Sequence, residues 1–193
     1  METRSQGRGL QYGFHLVVPV FVSANDAAEM RPGIGIQGRI GWEFPTGLSI
    51  EGILGVSYNG SNSDAVFEDI SGATTTVGDY GLTNIWFGAG LRYAFINATA
   101  LVPFVGAGLH LNVWTDVVTF EDGSSLSSDR SELSLGAQLN GGLIFEVNQN
   151  IGVEVGLIVN WTDPPDSRDL GEPVPFAEPR VWLSPFAGLT LYF

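Results

Sequence analysis

Eight side chains of this sequence could do chemistry away from bulk solvent: Arg39, Arg92, Glu43, Glu51, Glu146, Glu154, His15 and His110. Each sits in a stretch where apolar residues alternate with polar or small ones, and each falls on the polar phase. Arginines and carboxylates sharing one phase point to a network of ion pairs, because a buried charge without a partner is very costly. Arg39 and Glu51 flank the tight-turn sequence Pro45-Thr46-Gly47 as diagonal neighbours, within reach of long side chains. Such a network can plug a barrel, or gate a narrow pore by exchanging partners. His15 and His110 with nearby carboxylates could hold a metal, but spacing does not fix their separation. The expectation is that both histidines hydrogen-bond within the polar network, and that no metal or cofactor is held.

Other chemical motifs fail on context. Gly33-Ile34-Gly35-Ile36-Gln37-Gly38 matches the dinucleotide pattern in letters, yet it lies within a strand instead of between a strand and a helix. Loop serines such as Ser124, Ser125, Ser127 and Ser128 have no base in a matching pattern, and a nucleophile needs one. Glu121-Asp122-Gly123 and the pair Asp163 and Asp166 fall short of a fixed-spacing calcium loop. There is no cysteine, so disulfides and thiolate metal sites are excluded. The expectation is that the chain is not an enzyme.

The elements that must carry these residues are strands. Period two is the dominant signal, and it sends successive side chains to opposite faces of a sheet. Leu10, Tyr12, Phe14 and Leu16 oppose Gln11, Gly13 and His15; Ile34, Ile36, Ile40 and Trp42 oppose Gly35, Gln37, Arg39 and Gly41. Six further segments repeat the pattern, up to Leu189, Leu191 and Phe193 against Gly188 and Thr190. Three connections are tight, at Pro45–Gly47, Asn97–Thr99 and Asn148–Asn150. Four are long, roughly 22–32, 59–80, 115–131 and 162–180, and they hold sixteen of the 21 acidic residues in or beside them. Prolines from Pro164 to Pro179 keep the last of these from regular pairing.

Net charge and hydropathy narrow the class. A formal charge of -13, with eight arginines and no lysine, argues against nucleic acid as a partner. Mean hydropathy is +0.17 with only 15% charged residues, less charge than a soluble surface usually carries. No apolar run is long enough for a transmembrane helix. A soluble barrel with a greasy cavity would put charged residues on its polar phase, whereas here that phase is mostly glycine, including Gly13, Gly41, Gly55, Gly88, Gly136 and Gly156. Small residues suit the cramped interior of an eight-stranded barrel. The fold expected is therefore an all-β, eight-stranded, antiparallel, up-and-down transmembrane β-barrel over residues 10–193, preceded by a flexible polar segment, 1–9. That segment has no apolar h-region, so an exported protein would have had its signal removed or replaced by Met1.

Aromatic residues are expected to form two interfacial girdles. Tyr12, Trp42, Phe44, Tyr93, Phe95, Phe145, Tyr192 and Phe193 would mark the short-turn edge. Phe21, Tyr58, Phe87, Trp114, Trp161 and Trp182 would mark the other.

With its eight alternating segments, unequal loops and ending Gly188-Leu189-Thr190-Leu191-Tyr192-Phe193, the chain resembles the small outer-membrane barrels typified by the OmpA membrane domain, OmpX and OmpW. The resemblance runs from about Leu10 to Phe193. It implies a bacterial outer-membrane location, lipid and lipopolysaccharide as neighbours, and a C-terminal signal at Leu189, Leu191, Tyr192 and Phe193 read by the barrel-assembly machinery. No peptidoglycan-binding domain follows the barrel, so a full-length OmpA-type tether is not expected. The function expected is a structural or interaction protein with a plugged lumen, whose long acidic loops meet a protein partner outside the cell. The alternatives are a narrow pore for small solutes or ions and a lipid-modifying enzyme, the latter because outer-membrane lipid A deacylases share the architecture.

Overall fold

In the computed structural model, which describes residues 9–23, 30–60, 66–68, 74–120, 125–127, 132–163 and 181–193, the alternating segments are strands. They are β1 (Gly9–Val17), β2 (Val20–Ser23), β3 (Ile34–Glu43), β4 (Leu48–Gly60), β5 (Val66–Glu68), β6 (Thr74–Ala94), β7 (Leu101–Phe120), β8 (Ser125–Ser127), β9 (Glu132–Glu146), β10 (Ile151–Thr162) and β11 (Val181–Tyr192). No helix occurs among the described residues. Eight strands make the wall in the order β1-β3-β4-β6-β7-β9-β10-β11, every neighbouring pair antiparallel. The wall closes because β11 pairs back onto β1, with Phe14 opposite Leu189 and Tyr12 opposite Leu191. Closure leaves no edge of unpaired backbone groups, the condition for strands to cross hydrocarbon.

Short β2 continues the β1 wall past Val18 and Pro19 and pairs with the start of β11. Proline has no N–H for the ladder, yet its carbonyl still accepts from the Gly33 N–H at 2.8 Å. The three tight turns stand where the spacing predicts. Gly47 takes φ +85°, a conformation that suits glycine, and a Cβ there would run into the Ala94 carbonyl. Asn97 Oδ1 accepts from the Thr99 N–H at 2.8 Å, and Asn148 Oδ1 accepts from the Asn150 and Ile151 N–H groups at 2.8 and 2.9 Å. These side chains imitate the backbone of a turn.

The long connections are corrected in part. Residues 74–80 and 116–120, expected to be loop, extend β6 and β7 as a hairpin, and β5 and β8 add short strands beside it. Hydropathy does not alternate through these residues. The β-branched runs Thr74-Thr75-Thr76-Val77 and Val117-Val118-Thr119 still favour extended backbone. Most of the acidic and proline-rich loop residues, and residues 1–8, lie outside the described residues.

Period two divides the wall as predicted. Leu54, Leu109 and Leu135 are at least 60% exposed on the outer face, while Glu154, Asn112 and Thr190 are completely buried inside. An outer face this apolar would be strongly unfavourable in water and belongs in lipid. Three residues assigned to the girdles face inward instead: Trp114, Trp182 and Tyr192 are 7%, 5% and 2% exposed. All three share the parity of inward residues on their own strands, and that parity overrides the proximity of an interface. Phe21 is partly buried against the two tryptophans, and Phe87 is outward at mid-wall, between Leu54 and Leu111.

The interior is also less polar than the sequence pattern suggests. Val17, Ile53, Trp86, Phe104, Ile158 and Phe186 form one apolar cluster within it. Inward glycines make room for these bulky groups: a Cβ on Gly55 would strike Trp86, one on Gly156 would strike Phe186, and one on Gly136 would strike His110. Each large side chain lies flat over a glycine of a neighbouring strand, which is how so narrow a barrel fills to near-crystalline density.

Candidate functional site: the charged belt across the lumen

Five of the eight inward ionisable groups meet in one layer in the short-turn half of the lumen. Glu154, on β10, is the hub. Its Oε1 accepts from Arg39 Nη2 at 2.9 Å, from Arg92 Nη2 at 2.9 Å and from Thr190 Oγ1 at 2.5 Å. Its Oε2 pairs with His15 Nε2 at 2.9 Å. Glu51 is the second acceptor: Arg39 Nη1 donates to its Oε1 at 2.5 Å and Gln11 Nε2 at 3.2 Å, with Arg92 Nη1 at 3.8 Å. Arg39 Nη2 also donates to Thr190 Oγ1 at 2.8 Å, so this hydroxyl both accepts and donates. All these side chains are more than nine-tenths buried.

Strand geometry explains why these groups meet. Arg39 stands opposite Gly13 on β1, and a Cβ on Gly13 would lie 2.7 Å from Arg39 Nε. The guanidinium therefore crosses the absent side chain to reach β11 and β10. Arg92 extends over the Phe104 ring, 3.8 Å from its centroid, a cation–π contact that holds the head group towards Glu154. Two guanidiniums and two carboxylates balance, which is the condition for keeping charges in a low-dielectric interior. Between the belt and the apolar cluster is a cavity of about 20 Å³, lined by Arg39, Glu51, Arg92, Glu154, Phe104 and Phe186 among others. That volume is room for about one water molecule.

The other residues singled out from the sequence lie elsewhere. Glu43 and Glu146 stand nearer the tight turns at the ends of β3 and β9, Glu43 buried and Glu146 half-buried. His110 lies in the long-loop half, stacked on Trp182 with ring centroids 6.2 Å apart, and neither ring nitrogen has a hydrogen-bond partner. The two histidines therefore do not share a site. No group of three metal-ligating side chains stands together among the described residues. Above His110, Trp114 and Trp182 pack edge to face at 5.5 Å with Leu82, Phe21 and Met30, and Trp114 Nε1 donates to Ser134 Oγ at 2.9 Å. At the C-terminus, Leu189, Leu191 and Phe193 face outward, whereas Tyr192 faces the lumen.

Sequence reasoning did not single out Thr190 and Gln11 as members of the belt, nor Phe104 and Phe186 as its packing partners. Their inward parity was legible. What it lacked was the stagger between non-adjacent strands, which decides which inward residues share a level.

No protein-family model matches the chain, and no curated protein matches it. Solved structures do. Neisserial surface protein A superposes with a TM-score of 0.57 at 17% identity, over 95% of this chain and 96% of that one. A major outer membrane protein of Thermus thermophilus gives 0.57 at 14% identity, over 95% and 99%. OprG of Pseudomonas aeruginosa gives 0.55 at 13% identity, over 100% and 99%. The chain has the fold of the small outer-membrane β-barrels. In an outer-membrane barrel the greasy band of Leu54, Leu109 and Leu135 is the lipid face, and the belt around Glu154 lies within the membrane thickness.

Proposed function

We propose that the chain is a non-catalytic protein of the bacterial outer membrane, a rigid plugged barrel that serves the envelope as a platform and meets protein partners through its long acidic loops. The observation that carries this reading is the belt: four charged side chains and His15 pair with one another across the lumen, leaving a cavity of about 20 Å³. A second barrier, the Trp114 and Trp182 pair, lies towards the long loops. Against an acyl-transfer enzyme stands the use of the histidines. His15 Nε2 is engaged with Glu154, its Nδ1 has no partner, and neither nitrogen of His110 meets a hydroxyl. Lipid and lipopolysaccharide are the expected neighbours of the wall. The barrel-assembly machinery would read Leu189, Leu191 and Phe193 from the lipid side, with Tyr192 as the inward member of the same strand.

One observation favours a second reading as a narrow pore. Arg39 touches both glutamates, and Arg92 Nη1 is already 3.8 Å from Glu51, so the arginines could exchange carboxylates and part. Single-channel recording of the refolded protein in a planar bilayer, with Glu51→Gln alongside, separates the two. Folding is checked first by the gel shift between unboiled and boiled samples. The expected result is a silent bilayer for the native chain. Reproducible conductance steps that change in Glu51→Gln would replace the plugged reading with the pore.

A further inference from the structure

The inward glycines are pressed by neighbouring atoms, but several outward ones are not, among them Gly38 and Gly52, which both line one depression of the wall. A Cβ on Gly38 would find only the Leu54 carbonyl oxygen, at 3.8 Å, and one on Gly52 would meet Ile40 Cγ2 at 3.5 Å. Nothing within the chain calls for glycine at either position, and glycine weakens a strand interior. What the two residues do is open a groove of about 770 Å³ on the lipid-facing wall.

The cross-strand register gives the groove its course. Its lower bank is the row Tyr12, Ile40, Gly52, Ala89 and Leu109, each opposite the next on neighbouring strands. Its upper bank is the row Gly38, Leu54, Phe87, Leu111 and Leu135. The row between them is inward-facing, with Gly13, Arg39 and His110 among its members, so only its backbone floors the groove. The groove crosses six of the eight wall strands, from β1 to β9. Five steps of about 4.8 Å make it roughly 24 Å long.

We propose that this groove binds one acyl chain of a bilayer lipid, held diagonally across the wall. Shape selects the occupant. The groove follows the curved wall for more than half its circumference, and a rigid convex partner, including a second barrel, can touch only a few adjacent strands of such a path. A flexible hydrocarbon chain can follow all of it. Chemistry agrees, since the banks are apolar throughout and the floor's amides and carbonyls are already paired in the ladders. The groove offers nothing to a headgroup, so the site recognises the tail.

The test uses the full chain refolded into dioleoylphosphatidylcholine vesicles containing a phosphatidylcholine with a mid-chain diazirine. After illumination, labelling is mapped residue by residue. The expected result is labelling along Gly38, Gly52, Ala89 and Leu111 several-fold above that at Val155 and Leu189 on the opposite wall. It should fall to that background when the groove is filled in Gly38→Leu/Gly52→Leu, or in Ala89→Leu should the double variant not fold. Even labelling around the wall would overturn the proposal. So would protein-to-protein cross-links through the same residues, which would make the groove an interface between copies.

Discussion

The two halves of the lumen are closed by different means. Towards the tight turns, Arg39, Arg92, Glu51, Glu154, Thr190 and His15 pair with one another in a belt whose charges balance. Towards the long loops, the filling is aromatic and amide. Trp114 packs edge to face on Trp182, which stacks on His110, and Asn84 Nδ2 donates to Asn112 Oδ1 at 3.2 Å. Unpartnered polar atoms occur in both halves: Asn84 Oδ1 and both His110 ring nitrogens towards the long loops, Arg39 Nε and His15 Nδ1 in the belt. A belt of paired charges holds a particular geometry, because each member depends on the others. A stack of rings and amides fills space with less dependence between its members. The lower half should therefore be brittle under substitution and the upper half forgiving.

The sharpest break of that contrast is Glu154→Ala. It leaves Arg39 and Arg92 with only Glu51 between them in the interior, takes away the partner of His15 and leaves the Thr190 hydroxyl without its acceptor. Stranding a buried charge in this way costs about 3–5 kcal/mol. The urea midpoint of the vesicle-refolded protein should fall accordingly, with little folded protein recovered at moderate urea. A midpoint within error of the native chain would mean that water already solvates the belt and that the plug is not a structural unit.

Much of this contrast was legible in the sequence. Parity along each strand put Arg39, Glu51, Arg92, Glu154 and both histidines inside, and the tight turn at Gly47 set Arg39 diagonal to Glu51. Two things were hidden. Which inward residues share a level depends on the stagger between strands that are distant in sequence, so Glu154, from the seventh wall strand, was not recognisable as the hub. The aromatic side chains misled in another way. Trp114, Trp182 and Tyr192 are types that favour interfaces, and on that ground they were expected at the girdles, yet their own parity points inward. In so short-period a structure the backbone decides direction before residue type does. The far ends of β6 and β7 were missed because hydropathy stops alternating there.

Glycines provide the next test, since the same residue type has opposite surroundings on the two faces of β4. Gly55→Val would drive a branched side chain into Trp86, whose Nε1 donates to Gln37 Oε1 at 3.3 Å. Overpacking of this kind costs about 1–3 kcal/mol. Gly52→Val points into open space and exchanges a weak strand residue for a strong one, so its midpoint should stay level or rise. Equal losses at the two positions would mean that glycine is needed by the backbone of β4 and not by what lies over it.

The cleanest comparison is between the two histidines, both almost wholly buried and both on the inward phase. His15→Phe removes the contact to Glu154 Oε2 and leaves that oxygen without its partner, next to the Phe186 ring that already packs at 4.8 Å. Losing a hydrogen bond to a buried charged group costs about 1.5–3 kcal/mol. His110→Phe gives up no hydrogen bond, keeps a flat ring over Gly136 and stacks as well on Trp182. Exchanging a polar group without partners for an apolar one of similar shape is near neutral or stabilising. Paired urea titrations of the two variants should therefore separate, His15→Phe falling and His110→Phe holding or gaining. A loss at His110 as large as that at His15 would assign the upper ring a partner of its own, and the difference between the two halves of the lumen would collapse.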